Sequence, residues 1–138
     1  MQFYRGWREV SSAYNNGLEK GVTIQYMFIL QILAKHKSLR VSQVSELTHL
    51  DSSAVSTIIS RMEKKHLVQR EHDLVTDRRQ VFISITSKGL KLLKNNQPIY
   101  DQYTKSLFED IDEKDKETLK KIVQRMNNNR LRDNQARK

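Results

Sequence analysis

Residues 41–85 read VSQVSELTHLDSSAVSTIISRMEKKHLVQREHDLVTDRRQVFISI, and the apolar period in this stretch changes once, from helical to alternating. Val41, Val44 and Leu47 recur three apart, with Ser42 as the expected cap of a short helix. Thr48 to Asp51 is turn-like. Asp51 or Ser52 then caps a second helix, from Ser53 to about Lys65, in which Val55, Ile58, Ile59 and Met62 fall at i, i+3, i+4 and i+7. Leu67 to Arg70 begins a short strand and Val81 to Ile85 is another; the charged connection His72 to Gln80 reads as a long hairpin tip. Two strands alone are marginally stable, so the hairpin must pack on the helices before it. Two close helices with a tight turn, followed by a two-stranded hairpin, make a winged helix-turn-helix.

Outward from this stretch the pattern is helical on both sides. Phe3, Trp7, Val10 and Tyr14 mark an amphipathic helix over 3–16, and Gly17 to Gly21 is a break. Thr23 caps a helix through Gln25 to about Lys35; Tyr26, Met27, Phe28, Ile29, Leu30, Ile32 and Leu33 make it apolar on more than one side, so it is expected to be buried. Thr86 caps a helix from about Ser87, carrying Leu90, Leu92 and Leu93. Asn95-Asn96-Gln97-Pro98 reads as an interruption, because proline kinks or ends a helix. The pattern resumes with Ile99, Tyr103, Leu107, Phe108 and Ile111, and Asp112 caps a last helix with Leu119, Ile122, Val123 and Met126. Residues 127–138 have no apolar period and read as a frayed basic tail. The expected fold class is mainly α with a two-stranded β-wing.

Composition narrows the function classes. The 138 residues suffice for one domain with a real core. With no cysteine there is no disulfide framework, thiolate zinc site or thiol redox switch. No apolar run approaches the roughly 20 residues that span a bilayer, and Met1 to Arg5 lacks the charged-then-apolar order of a signal peptide. A cytoplasmic protein is the expectation. The net charge of +9 favours a nucleic-acid partner. Its distribution tempers that: five basic and two acidic groups in 1–39, seven and six in 40–86, thirteen and eight in 87–138. Most of the excess lies outside the helix-turn-helix, so individual arginines matter more than the total.

The run from Val41 to Ser56 resembles the helix-turn-helix of the MarR (multiple-antibiotic-resistance regulator) family, and Arg61 to Val68 is similar to the end of that family's recognition helix. Asp77-Arg78-Arg79, followed by Val81 to Gly89, resembles its wing, with an Asp-x-Arg signature. The match covers about residues 40–94, and Thr23 to Tyr26 is a weaker one. The family often has Gly where this chain has His49 and again where it has His66, and Pro where it has Leu74. Both histidines fall at or just past a helix end, where positive φ favours Gly. The resemblance implies a single domain over 1–138. Its dimerisation helices are 1–36 and 87–127, its DNA-binding lobe 37–86, and its basic tail 128–138.

Residue roles follow from chemistry and resemblance together. The face of the second helix opposite its apolar stripe carries Ser53, Ala54, Ser56, Thr57, Ser60, Arg61 and Lys64. Small hydroxyl residues let a helix lie deep in a groove and bond phosphates or base edges, Ala54 suits a thymine methyl, and Arg61 and Lys64 suit phosphate or guanine. The bland alternative is a solvated polar face. On the wing, the resemblance assigns Arg79 to the minor groove and Asp77 to orienting it, and Arg78 suits the backbone; arginine is favoured in narrow minor grooves. Phe3, Trp7, Val10, Leu107, Leu119, Ile122, Val123 and Met126 form apolar faces too large for one small domain, and the resemblance implies that they interdigitate with a second subunit.

His36, His49, His66 and His72 make no HxxxH pair, so no metal is implied, and no cofactor. Trp7, Tyr26, Tyr100 and Tyr103 are candidate linings of an effector pocket, although aromatics at helical spacing are more often core. The family's effectors are often small, lipophilic or phenolic. The expected function is a sequence-specific, ligand-responsive transcription regulator, usually a repressor in this family, that binds a pseudo-palindromic operator in double-stranded DNA as a homodimer. A non-specific architectural DNA binder and a protein-interaction scaffold on the same fold stand beside it. No activated nucleophile pair, metal ligand set or glycine-rich phosphate loop points to an enzyme.

Overall fold

The computed structural model describes residues 2–72 and 80–137, apart from the side chains of Tyr4 and Tyr14. In chain order the elements are α1 (Gln2–Gly17), α2 (Ile24–Lys35), α3 (Val41–Thr48), α4 (Ser52–Lys64), β1 (Val68–His72), β2 (Val81–Ile85), α5 (Ser87–Leu107) and α6 (Glu113–Ala136). The chain divides into two units, residues 1–101 and 102–138, with the division inside α5. Among the described residues no helix is long and apolar enough to cross a membrane.

The first unit is built around α2. Met27, Ile29, Leu30 and Leu33 are buried, and so are Val44 from α3, Val55, Ile59 and Met62 from α4, and Leu67, Val68 and Ile83 from the hairpin. Thr23 starts α2 as expected, its hydroxyl accepting from the Tyr26 N–H at 3.2 Å. The Asn15 carboxamide oxygen accepts from the Ile24 N–H at 2.8 Å and ties the end of α1 to the start of α2. Strands β1 and β2 pair antiparallel in the register Val68 with Ile85, Arg70 with Ile83 and His72 with Val81. Leu39, ahead of α3, adds a single bridge: its N–H donates to the Ile83 carbonyl at 3.0 Å, and the Ile83 N–H donates back at 2.7 Å. The hairpin is thus anchored to the α2–α3 connection, which satisfies backbone groups of an otherwise exposed edge.

Where α5 leaves β2, the Thr86 hydroxyl accepts from the Gly89 N–H at 3.0 Å and donates to the His66 carbonyl at 2.6 Å. Gly89 is required by packing: a Cβ there would lie 2.2 Å from the Leu67 carbonyl oxygen and 2.8 Å from an Ile85 carbon. The helix meets the strand entry at backbone distance.

Three expectations need correction. Ser42 is not the cap of α3. The helix begins at Val41, one residue earlier, with Arg40 at the cap position, and the Gln43 side chain accepts the Arg40 N–H at 2.9 Å. Asn95 to Pro98 does not interrupt α5, which runs unbroken through Pro98. Asn96 is buried and fully engaged: its oxygen accepts the Glu19 N–H at 3.0 Å, and its amide donates to the Leu92 carbonyl at 2.9 Å and to the Glu19 carboxylate at 3.2 Å. These tertiary bonds outweigh the poor helix propensity of the segment. Residues 127–136 continue α6 to Ala136, so the basic tail is helical over most of its length.

The second unit comprises the end of α5 and α6. Asp112 caps α6, its carboxylate accepting the Asp115 N–H at 2.8 Å. No residue of α6 is buried.

Candidate nucleic-acid interface

The turn between α3 and α4 is held by short hydroxyl bonds. Ser45 donates to the Leu50 carbonyl at 2.6 Å, Thr48 donates to the Val44 carbonyl at 2.7 Å, and Ser52 donates to the Ser45 hydroxyl at 3.2 Å. His49 ends α3 in the left-handed region at φ 58°, and His66 follows α4 at φ 61°. Both are the positions at which the sequence departs from a glycine pattern. At each, the chain reverses direction with a non-glycine residue in a conformation that L-residues disfavour.

The Val55 N–H donates to the Asp51 carbonyl at 2.9 Å, which opens the ladder of α4. The Ser53 hydroxyl donates to the Asp51 carboxylate. That bond first, and the nearby Ala54 N–H second, hold the Asp51 carboxyl below its ordinary pKa. An anion at this end also complements the helix dipole, as Arg61 and Lys64 do in the last turn.

The inner face of α4 is the buried set Val55, Ile58, Ile59 and Met62. On its other side Ser53, Ser56, Thr57, Arg61 and Lys64 are exposed, and Ala54 and Ser60 are half-buried. Thr57 donates to the Ser53 carbonyl at 3.0 Å, so its oxygen is left as an acceptor. Ser60 is not purely outward: its hydroxyl accepts from the Arg70 guanidinium of β1 at 3.1 Å. The same guanidinium pairs with Glu63 at 3.3 Å. Arg70 is a site residue that the sequence reading did not single out. Asp77, Arg78 and Arg79 lie outside the described residues.

Just past α4, Lys65 turns back onto α2. Its ammonium lies 5.0 Å from the Tyr26 ring centroid, 3.5 Å from the Tyr26 hydroxyl and 3.4 Å from the Gly21 carbonyl. Beside it is a cavity of about 190 Å³ lined by Lys20, Tyr26, Lys65, Leu67, Lys88 and Leu92 among others. Tyr26 is buried there, whereas Tyr100 packs edge-on against Phe28 with centroids 6.5 Å apart and Trp7 is exposed. The candidate effector aromatics are therefore not gathered in this cavity.

The candidate dimerisation residues are solvent-facing in the single chain. Phe3 and Trp7 are 74% and 61% exposed, and Val10 continues their face on α1. In the second unit Leu107, Leu119, Ile122, Val123 and Met126 are all exposed. There, Phe108, Leu119 and Val123 line an open, mainly apolar groove between the end of α5 and α6, about 730 Å³ in volume.

A buried helix pair with a pinned turn, a second helix presenting hydroxyls and cations, and a hairpin sealing the core define a winged helix-turn-helix. Residues 22–81 match the MarR family model. It is 39% identical over 71 residues to the HTH-type transcriptional repressor MdtR of Bacillus subtilis, covering 51% of this chain and 45% of that one. It is 34% identical over 91 residues to the HTH-type transcriptional regulator MgrA of Staphylococcus aureus, covering 64% and 61%. The chain thus matches between about half and three fifths of the length of these curated relatives, which are transcription regulators. Among solved structures, Staphylococcus aureus MepR in complex with DNA superposes with a TM-score of 0.79 at 21% identity, covering 92% of this chain and 97% of that one. Bordetella bronchiseptica BpsR, whose DNA binding is regulated by 6-hydroxynicotinic acid, gives 0.79 at 20%, covering 91% and 96%. At these identities the likeness is one of fold.

Proposed function

We propose that this protein is a transcription regulator that reads a pseudo-palindromic operator as a homodimer and represses until a small ligand releases it. The observation that carries the reading is the two-sidedness of α4: four core residues on one side, and exposed Ser53, Ser56, Thr57, Arg61 and Lys64 on the other, with Ala54 at its edge. A helix seated this firmly presents its outer face as a rigid reader for the major groove. Ser60 belongs to the same reader through its bond to Arg70. Arg79 reaches the minor groove with Asp77 orienting it, and Arg78 meets the backbone.

The dimer reading rests on the exposed apolar residues Phe3, Trp7, Val10, Leu107, Leu119, Ile122, Val123 and Met126, because exposed apolar faces of this extent mark association surfaces. In domain terms, residues 1–36 and 87–127 serve dimerisation, 37–86 form the DNA-binding lobe, and 128–138 add a basic extension. The effector reading, a small phenolic or lipophilic molecule, is supported by the likeness to BpsR, whose DNA binding is regulated by 6-hydroxynicotinic acid; the small cavity beside the end of α4, lined by Glu19 as well as Lys20, Tyr26, Lys65 and Lys88, is a candidate place for it. A ligand there acts only through a difference in affinity between the DNA-binding and the released forms.

The test is a binding selection from random duplexes at moderate salt, repeated with Arg61→Ala and Arg79→Ala. The expected result is enrichment of a pseudo-palindrome by the wild type, with each variant weaker by about 1–3 kcal/mol. Binding without enrichment identifies an architectural protein, and absence of binding at low salt refutes the reading.

A further inference from the structure

We infer that Arg70 is a positioning residue for DNA recognition: it locks the β-hairpin to the recognition helix α4 and sets the angle at which the two meet DNA, without itself touching DNA. The inference rests on the DNA-reading function proposed above.

The argument begins with strand alternation. Arg70 pairs directly with Ile83, and directly paired residues of an antiparallel ladder share a face. Ile83 is wholly buried, as is Val68, two residues before Arg70 on its own strand. Arg70 therefore sits on the inner, helix-facing side of the hairpin, where an apolar residue is the rule. Arg70 lies at the exposed margin of that side, and α4 supplies it with two partners one turn apart. The guanidinium Nη2 donates to the Ser60 hydroxyl at 3.1 Å, and Nε lies 3.3 Å from a Glu63 carboxylate oxygen. The Arg70 side chain is about a third exposed at 32%, and that of Glu63 43%.

Two properties make this pair of bonds a device for setting an angle. The guanidinium is planar and rigid, so bonds from two of its nitrogens to two points on one helix constrain orientation as well as distance. They also reach α4 at Ser60 and Glu63, which flank Arg61, one of the two cations of the reading face. The acid is informative in itself. Glu63 places a negative charge on a helix proposed to approach phosphates, where charge alone disfavours it. Holding Arg70 gives that carboxylate a purpose.

The experiment is a salt titration of duplex binding by the full chain and by Arg70→Gln, Glu63→Ala and the double variant, with Arg61→Ala as reference. Arg70→Gln is expected to weaken binding about tenfold with the salt slope unchanged, whereas Arg61→Ala lowers the slope by about 1. Glu63→Ala is expected to weaken binding too, although it removes a negative charge from the reading helix. The double variant is expected to be no weaker than Arg70→Gln alone. In the free protein, amide exchange at Val68–His72 is expected to rise in Arg70→Gln while that of Val55 and Ile59 holds.

A slope lowered by about 1 in Arg70→Gln overturns the inference, because Arg70 then contacts phosphate directly. Tighter binding by Glu63→Ala overturns it as well. If the wild type itself binds no DNA, the DNA reading fails. The lock is then judged by exchange alone: faster β1 exchange retains it and unchanged exchange refutes it.

Discussion

Helices α4 and α6 are both amphipathic, and they differ in whether their apolar faces have found a partner within the chain. In α4 the stripe Val55, Ile58, Ile59 and Met62 is buried, and the opposite side is left polar and cationic. In α6 the stripe Leu119, Ile122, Val123 and Met126 is exposed along its whole length. The same sequence periodicity gives opposite outcomes because burial depends on what the rest of the chain can cover. The winged helix-turn-helix lobe closes on itself, whereas the apolar stripe of α6 is left exposed in the single chain. These four side chains are each about half exposed, 46–51%, so the dimer proposed above has further apolar surface to bury there.

The largest effects come from testing the two faces as a pair. Ile59→Ala is expected to cost about 2–5 kcal/mol by opening a cavity in the closed lobe, read as a lowered urea midpoint at every protein concentration. Ile122→Ala is expected to lower the midpoint only at concentrations where the wild type is dimeric, the gap closing on dilution. Equal losses from the two at low concentration would erase the contrast. Next in size is Gly89→Ala. Its Cβ must displace the Leu67 carbonyl, and a loss of about 1–3 kcal/mol is expected from this overpacking. A variant as stable as the wild type shows that α5 does not close the lobe at that point.

Smaller effects sharpen the lobe's turns. His49→Gly and His66→Gly relieve left-handed residues, and each is expected to stabilise by up to about 1 kcal/mol; a loss of stability in both would show that the imidazoles contribute contacts beyond the turn. The smallest effect is in acid. The folded-state pKa of Asp51 lies below its ordinary value of 3.8, so its contribution is present above that value and is lost as pH falls through the depressed one. Asp51→Asn should therefore narrow its gap to the wild type as a urea series is taken into acid; a gap that widens in acid reverses the assigned sign.

The lobe was legible because local signals agreed there. The four-residue stripe of α4, the caps at Thr23, Thr86 and Asp112, and the need for positive φ at His49 and His66 all rest on near neighbours. What escaped depends on distant partners. Asn96 keeps α5 continuous through bonds to Glu19, and nothing within its own segment announces that. Leu39 joins the hairpin through a single bridge, too short to leave a period. Arg70 reads as an ordinary strand charge until its cross-strand pairing with Ile83 puts it on the inner side. The helical end of α6 carries no apolar stripe, and so gave no sign of helix.

The most direct measurement is sedimentation equilibrium of the full chain, alone and with a duplex enriched by the binding selection. The account predicts a species of twice the 16.3 kDa chain mass in the free protein, and two chains on each duplex. A single chain throughout, free and on DNA, would contradict it, since the exposed faces of α1 and α6 would then remain open in the functioning molecule.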